Sequence, residues 1–283
     1  MIRSVAESTA RRLLNTVRER PGARTIQGSS DAIRGGNNLY LWQWAHIERR
    51  AGRRAAVLRS ATMPDWVEEF PLLRDLTIDQ KDVSILDRRR FATRFFFDHD
   101  FDRSQNRNFC LALVDSSDAF RARRSRIRAQ IARETLVVNV RRGDYYEVPE
   151  FFARFGLDIH SHVAGAVELV QQAGRPVVDV LVVSDDVDWC RRELTPVLGD
   201  IRTLEGRSSP FDDLAALSSA TTLVLANSTF SYWGSHLASS FDDEHLAIAP
   251  SHHEIAPNGS LIAPMFDPSW PRTEYSPRRG ATG

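Results

Sequence analysis

Two adjacent arginines, Arg141 and Arg142, stand in the run Asn139-Val140-Arg141-Arg142-Gly143-Asp144-Tyr145, directly after the apolar Leu136, Val137 and Val138. A guanidinium pair where a buried strand ends suits a diphosphate. The planar fork matches phosphate oxygens bidentately, and open α/β sheets collect ligands outside the carboxyl ends of their strands. Two further segments share that strand-end position: Ser184, Asp185 and Asp186, and then Asn227, Ser228 and Thr229, which precede a helix opened by Phe230. Hydroxyls and N–H groups at a helix start attract anions. Together the three segments describe a pocket for a nucleoside diphosphate. A plainer reading stands beside it, because Ser184 to Asp186, and Ser228 with Thr229, are also good helix caps.

The elements that must position these residues show in the second half of the chain as a regular alternation. Leu136 to Val140, Val177 to Val183, Ile201 to Leu204, Thr222 to Ala226 and His245 to Ala249 have strand patterns. Between them Ile159 to Gln172, Asp188 to Leu198, Asp212 to Ser219 and Ser231 to Ser239 have helical ones. Such spacing predicts right-handed βαβ units and a parallel sheet, a Rossmann-like domain from 136 to about 255. The first half is less regular. Arg24 to Gln27, a loop at Gly35-Gly36-Asn37-Asn38, a helix over Leu39 to Ala51 and a strand over Ala55 to Leu58 predict a second α/β domain. Ala119 to Ala132 reads as its last helix, which divides the chain near Glu134 into domains of residues 1–134 and 135–283. The tail beyond Pro264, with Pro268, Pro271 and Pro277, is expected to wrap over the surface.

Composition narrows the partners. The 283 residues carry zero formal net charge, 42% hydrophobic and 26% charged residues, which is ordinary for a soluble enzyme and excludes a nucleic-acid partner held by bulk charge. Lys81 is the only lysine, so single arginines mean little, and those from Arg121 to Arg133 read as the solvated face of a helix. Cys110 and Cys190 match no zinc or redox spacing and read as reduced, partly buried thiols. With no apolar run of membrane-spanning length, and a basic amphipathic amino terminus without a signal-type core, a cytoplasmic protein is expected, with contact at the inner membrane face left open. Asp98, Asp100 and Asp102 have the spacing that can hold a divalent cation against a diphosphate, but a solvated acidic loop is the plainer reading. His160, His162, His252 and His253 lack metal-binding partners and read as surface or capping histidines. An adhesion role for Arg142-Gly143-Asp144 is excluded by its strand-end position, and without a secretory signal neither the Asn227 nor the Asn258 sequon is expected to carry a glycan.

Arg-Arg-Gly-Asp-Tyr after a strand, Ser-Asp-Asp followed by Trp189 and Cys190, and Asp213-Leu214 leading to Asn-Ser-Thr-Phe-Ser-Tyr-Trp-Gly at 227–234 resemble, in order, the motifs of glycosyltransferase family 11, the α-1,2-fucosyltransferases. More weakly, Gly35 to Asn38 before Trp42-Gln43-Trp44-Ala45 is similar to that family's glycine loop and following helix. The resemblance implies a GT-B-like fold, two Rossmann-like domains facing a cleft, with the acceptor on the amino-terminal side and the donor on the carboxyl-terminal one. It implies an inverting transfer of L-fucose from GDP-β-L-fucose to a galactoside hydroxyl of an oligosaccharide or glycolipid, with no metal or other cofactor. In that reading Arg141 neutralises the leaving diphosphate, Ser228 and Thr229 add donors, and Asp213 accepts from the guanine. Asn139, Ser184, Asp185, Asn227 and Phe230 line the nucleotide. Arg142 either joins them or pairs with Asp144 to brace the loop, and Asp144 is a candidate base. The family's first motif begins with His where this chain has Asn139, which keeps a neutral hydrogen bond but cannot bear positive charge. A different acceptor, another GDP-sugar, or a catalytically weak nucleotide-sugar or glycan binder are the alternatives.

Overall fold

The computed structural model describes residues 20, 22–92 and 94–276, so the basic amino-terminal stretch and Pro277 lie outside the described residues. The chain separates into two compact units, Met1–Phe95 and Phe96–Gly283.

In the first unit β1 (Thr25–Gln27), α1 (Gly36–Arg50), β2 (Ala55–Leu58), α2 (Pro64–Glu69), α3 (Pro71–Asp75), β3 (Thr77–Ile78) and β4 (Arg88–Arg90) follow in order. The strands are all parallel, in the order β3-β2-β1-β4. Ile26, Ala56 and Ile78 form the heart of this small core, with Leu58 and Val83 against it. Helix α1 buries Leu39, Tyr40, Leu41, Trp42 and Ala45 and ends on Arg49 and Arg50, cations that suit the negative end of its dipole. Proline opens both α2 and α3, where a missing N–H costs nothing.

The second unit contains α4 (Arg103–Asp115), α5 (Asp118–Arg128), β5 (Thr135–Val140), α6 (Gly143–Glu147), α7 (Pro149–Phe155), α8 (Ile159–Gln172), β6 (Asp179–Ser184) and α9 (Val187–Leu198). It continues with β7 (Ile201–Arg202), α10 (Pro210–Leu217), β8 (Thr222–Val224), α11 (Thr229–Phe241), β9 (Leu246–Ile248) and the hairpin β10 (Glu254–Ile255) and β11 (Leu261–Ile262). The five-stranded sheet is parallel, in the order β7-β6-β5-β8-β9. Strand β5 is buried along its whole length, as a central strand covered on both faces must be. Leu136, Val138 and Val140 meet Val163, Ala166 and Val170 of α8 and Cys190 and Leu194 of α9 in one core. Two parallel sheets flanked by helices are the architecture that a GT-B-like fold requires.

Three sequence expectations are corrected. The chain divides at Phe95/Phe96 rather than near Glu134, because α4 and α5 pack on the second unit. Phe109 of α4 meets Trp233 of α11 edge-on at 5.5 Å, and Phe120 and Ile127 of α5 are fully buried. The arginine face of α5 is solvated only in part: Arg121, Arg126 and Arg128 are exposed, while Arg123 and Arg124 are half-buried, and several of them are engaged by the second unit. Arg123 and Arg126 grip the buried Asp212 at 2.9 and 2.5 Å, and Arg124 reaches the Ser218 carbonyl at 3.0 Å while lying over the Phe241 ring. The hydrogen bonds of Asp212 explain its charge: burial pushes its pKa up, but bonds from Ser208, Arg123 and Ser209 outweigh that and hold it below the usual carboxylate range. The tail is not a surface wrap. Met265, Phe266 and Trp270 are buried, and the chain runs parallel beside Ala249, donating Ala249 N–H to Pro271 O at 2.8 Å and Thr273 N–H to Ala249 O at 3.0 Å.

Candidate donor site at the carboxyl edge of the second sheet

In the order β7-β6-β5-β8-β9 the direction of strand addition reverses between β5 and β8. Helices leave the sheet to opposite sides there, which opens a crevice at the carboxyl ends of the two strands. Arg141 follows β5 on one side of that crevice, and α11 begins just beyond β8 on the other.

Arg141 is held by two carboxylates. Its Nη1 lies 2.5 Å from Asp185 Oδ2 and its Nη2 2.7 Å from Asp144 Oδ1. Those bonds engage two of the five guanidinium donors and orient the fork without exhausting it. Asp185 also accepts from the Arg142 backbone N–H at 2.9 Å, so one carboxylate fixes both the loop and the side chain. Gly143 makes this closeness feasible: its φ is +27°, and a Cβ there would stand 2.8 Å from Asp185 Oδ2 and 3.3 Å from the Arg141 guanidinium.

Arg142 does not pair with Asp144. Its Nε donates to Asp186 Oδ2 at 3.0 Å, and its guanidinium lies over the rings of Trp189 (4.2 Å) and Tyr146 (4.9 Å). This side chain braces the loop, as one reading of the sequence held, through a different partner. Asp186 caps α9 by accepting from Trp189 N–H at 3.1 Å, and Ser184 Oγ accepts from Asp186 N–H at 2.9 Å just before the helix, so the capping reading holds for Asp186 while Asp185 binds Arg141 instead.

Around β8 the roles divide. Asn227 is committed to structure: its amide donates to the carbonyls of Phe155 and His253, both at 2.8 Å, and its oxygen accepts from Tyr232 Oη at 2.8 Å. Ser228 occupies the N-cap position of α11, yet its side chain makes no capping bond. The 13-residue helix therefore starts without a side-chain cap, with Thr229 buried and Phe230 half-buried in its first turn. Asn139 is buried, and its amide donates to Val183 O at 2.8 Å across to β6. Asp213 is gripped bidentately by Arg207, at 2.7 and 2.6 Å. Burial raises the Asp213 pKa most, the Arg207 pair opposes it, and the neighbouring Asp212 and Asp185 charges add to the rise. Arg207 was missed by sequence reading, having no motif around it. An Arg six residues before a buried Asp, across a loop ending in the N-cap Ser209, was the available signal.

A cavity of only about 10 Å³ lies beside Arg141, walled by Asn139, Tyr145, Phe155, His162 and Asn227. The Arg141 side chain itself is 40% exposed, so the second unit offers a solvent-facing guanidinium there. Its larger cavity, about 280 Å³, is lined by Arg103, Arg107, His236, Asp267 and Trp270, remote from the carboxyl edge because it borders the start of β9.

The other candidates settle into structural roles. Asp102 caps α4 in a reciprocal capping box with Gln105, and Asp100 accepts from Phe96 N–H at 2.9 Å, so the acidic run shapes a turn. Among the described residues no group of three or more His, Cys, Asp or Glu side chains is arranged to hold a metal ion. His162, His252 and His253 are buried rather than superficial. His162 joins Thr273 of the tail to the Leu225 carbonyl, both at 2.8 Å, and burial lowers its pKa to about 4. Cys110 and Cys190 are free and buried, the first with its pKa pushed up to about 12 by desolvation.

Residues 77–254 match the family described as Glycosyl transferase family 11, which spans both halves of the crevice. The chain belongs to glycosyltransferase family 11. It is similar to an alpha-1,2-colitosyltransferase of Escherichia coli, 29% identical over 117 residues, which cover 40% of this chain and 39% of that protein. It is also similar to the galactoside 2-alpha-L-fucosyltransferase Sec1 of Mus musculus, 30% identical over 143 residues, covering 47% of this chain and 36% of that one. The chain thus matches well under half the length of either relative. Among solved structures, fucosyltransferase NodZ from Bradyrhizobium superposes with a TM-score of 0.41 at 12% identity, over 75% of this chain and 92% of that one.

Proposed function

We propose that this family 11 protein transfers L-fucose from GDP-β-L-fucose to a galactoside hydroxyl of an oligosaccharide or glycolipid, forming an α-1,2 linkage. The observation that carries the donor half is the crevice between β5 and β8, flanked by an oriented Arg141 and by the uncapped start of α11. Both elements favour a doubly charged diphosphate. In the reaction the bond from the fucose anomeric carbon to the β-phosphate oxygen breaks, its electron pair leaving with GDP. Arg141 and the first turn of α11, with Ser228 and Thr229, stabilise that growing charge, the kind of preorganised electrostatics that lowers a barrier most. The acceptor oxygen forms its bond from the opposite face, inverting β to α, and its proton passes to a carboxylate or to solvent. Asp144 is the candidate carboxylate. Asp213 serves the guanine, whose adjacent N–H donors match one carboxylate, and Arg207 must then yield one or both of its bonds. The first unit takes the acceptor.

Calorimetry with GDP, ADP and UDP, followed by mass spectrometry of lactose incubated with GDP-fucose, tests the reading. Preferential GDP binding and a fucosylated lactose are expected, with activity unchanged by chelators. Turnover with GDP-mannose and none with GDP-fucose would overturn the donor, and strict dependence on added Mn²⁺ would return Asp98 to the site. The relative named an alpha-1,2-colitosyltransferase makes a colitose donor the second one to try.

A further inference from the structure

The first sheet has its own point of reversal. In the order β3-β2-β1-β4 it falls between β1 and β4, whose carboxyl ends run into Gly28 and Phe91. Ligands of open α/β sheets gather at such points. Phe91 is 76% exposed, the highest value of any large hydrophobic side chain described. Its ring lies directly on the Gly28 backbone, where a Cβ would come within 2.2 Å of Cε1 and 2.4 Å of Cδ1.

The exposed ring stands on a rigid base. Gly28 N–H donates to Arg90 O at 2.7 Å on one side of Phe91. On the other side the fully buried Gln27 side chain donates to Ala92 O at 3.1 Å and accepts from Ala92 N–H at 3.4 Å, while also donating to Gly28 O at 2.8 Å. A buried amide thus clamps the backbone of both strands beneath a ring left in water. A floppy loop would let the ring fold away; this one holds it out.

We propose that Phe91, seated on Gly28, is the platform on which a sugar ring of the acceptor stacks, the acceptor being a galactoside. The inference rests on the transferase reading above. The face of an aromatic ring is electron-rich, and the apolar face of a galactopyranose presents partly positive C–H bonds to it. One uncharged ring, with the exposed polar Ser30 and Asp31 two and three residues beyond Gly28, fits a single sugar better than a broad apolar partner. Ile85 and Leu86, also exposed, precede β4 and lie at its other end, outside this platform.

Lactose is the probe. Saturation-transfer NMR would compare lactose binding by the wild type, Phe91→Ala, Phe91→Tyr and Gly28→Ala, with GDP titrated into each by calorimetry. At least a tenfold loss of lactose affinity is expected for Phe91→Ala, and a similar loss for Gly28→Ala, which pushes the ring aside. Phe91→Tyr should keep the affinity, and GDP binding should be equal in the wild type, Phe91→Ala and Phe91→Tyr, which also shows that the second unit is folded. Equal lactose affinity in Phe91→Ala and wild type, or no lactose binding by a wild type that binds GDP, would overturn the platform and leave the donor reading standing. Phe91-dependent lactose binding by a chain that ignores GDP would sink the donor reading and keep the platform.

Discussion

Along the carboxyl edge of the second sheet the side chains that follow β5, β6 and β7 are charged and paired: Arg141 between Asp144 and Asp185, Arg142 on Asp186, Arg207 on Asp213. At the equivalent ends of β1 and β4 stands an aromatic ring over a glycine, backed by a neutral amide. The two sheets share a topological position and differ in the chemistry placed there. A fixed scaffold offers a crevice wherever strand order reverses, and the residues just past the strand ends decide whether it suits an anion or an uncharged ring.

Arg141→Ala should break the contrast most sharply. Removing a guanidinium aimed at developing phosphate charge should cost about 3 kcal/mol or more of transition-state stabilisation, a loss of roughly 100-fold in kcat/KM. Lactose binding should be untouched. Steady-state kinetics with GDP-fucose, paired with the lactose titration, checks both halves; near-normal turnover would remove Arg141 from the reaction.

Much of the second unit was legible because its central strands β5 and β6 are nearly continuous buried runs between helices of ordinary length, so that β5 and α8 fall where the apolar pattern put them. The first unit was half-hidden. Strand β4 is Arg-Arg-Arg and β3 has two residues, so neither offers a hydrophobic period, and the reversal that places Phe91 beside Gly28 could not be seen without them. Within the site, residue types announced a diphosphate but not their pairings. That Arg141 rather than Arg142 binds Asp144 depends on the positive φ at Gly143, a backbone property. The helix of arginines misled for a similar reason: only the fold brings Asp212 beneath Arg123 and Arg126.

That last contact sets where one unit ends, and hence which residues the comparison assigns to each sheet. Asp212→Ala should destabilise the second unit by about 3 kcal/mol, since it strands two arginines that a buried carboxylate now holds. Denaturant unfolding at pH 7 measures it. The sign of the pH dependence follows from the lowered pKa: the contribution of Asp212 is complete above the unfolded-state value of about 3.9 and is lost as pH falls below it. The gap between wild type and variant should therefore narrow below about pH 4. A variant as stable as the wild type at pH 7 would detach α5 from the second unit's energetics.

Ionic strength separates the two crevices with no substitution at all. Arg141 is 40% exposed, so its attraction for a diphosphate is felt partly through water and is screened as the Debye length shrinks from roughly 10 Å at 0.1 M salt to about 3 Å at 1 M. Stacking of an uncharged sugar on Phe91 involves no net charge, and added salt leaves its main term, the removal of apolar surface from water, intact or slightly strengthened. GDP affinity should thus fall several-fold over that range while lactose affinity stays within about twofold, in one protein and one buffer series. Parallel salt titrations of the two ligands give the comparison directly. If both affinities fell together, the sugar would be bound by charge as well, and the aromatic ring would lose its distinct role.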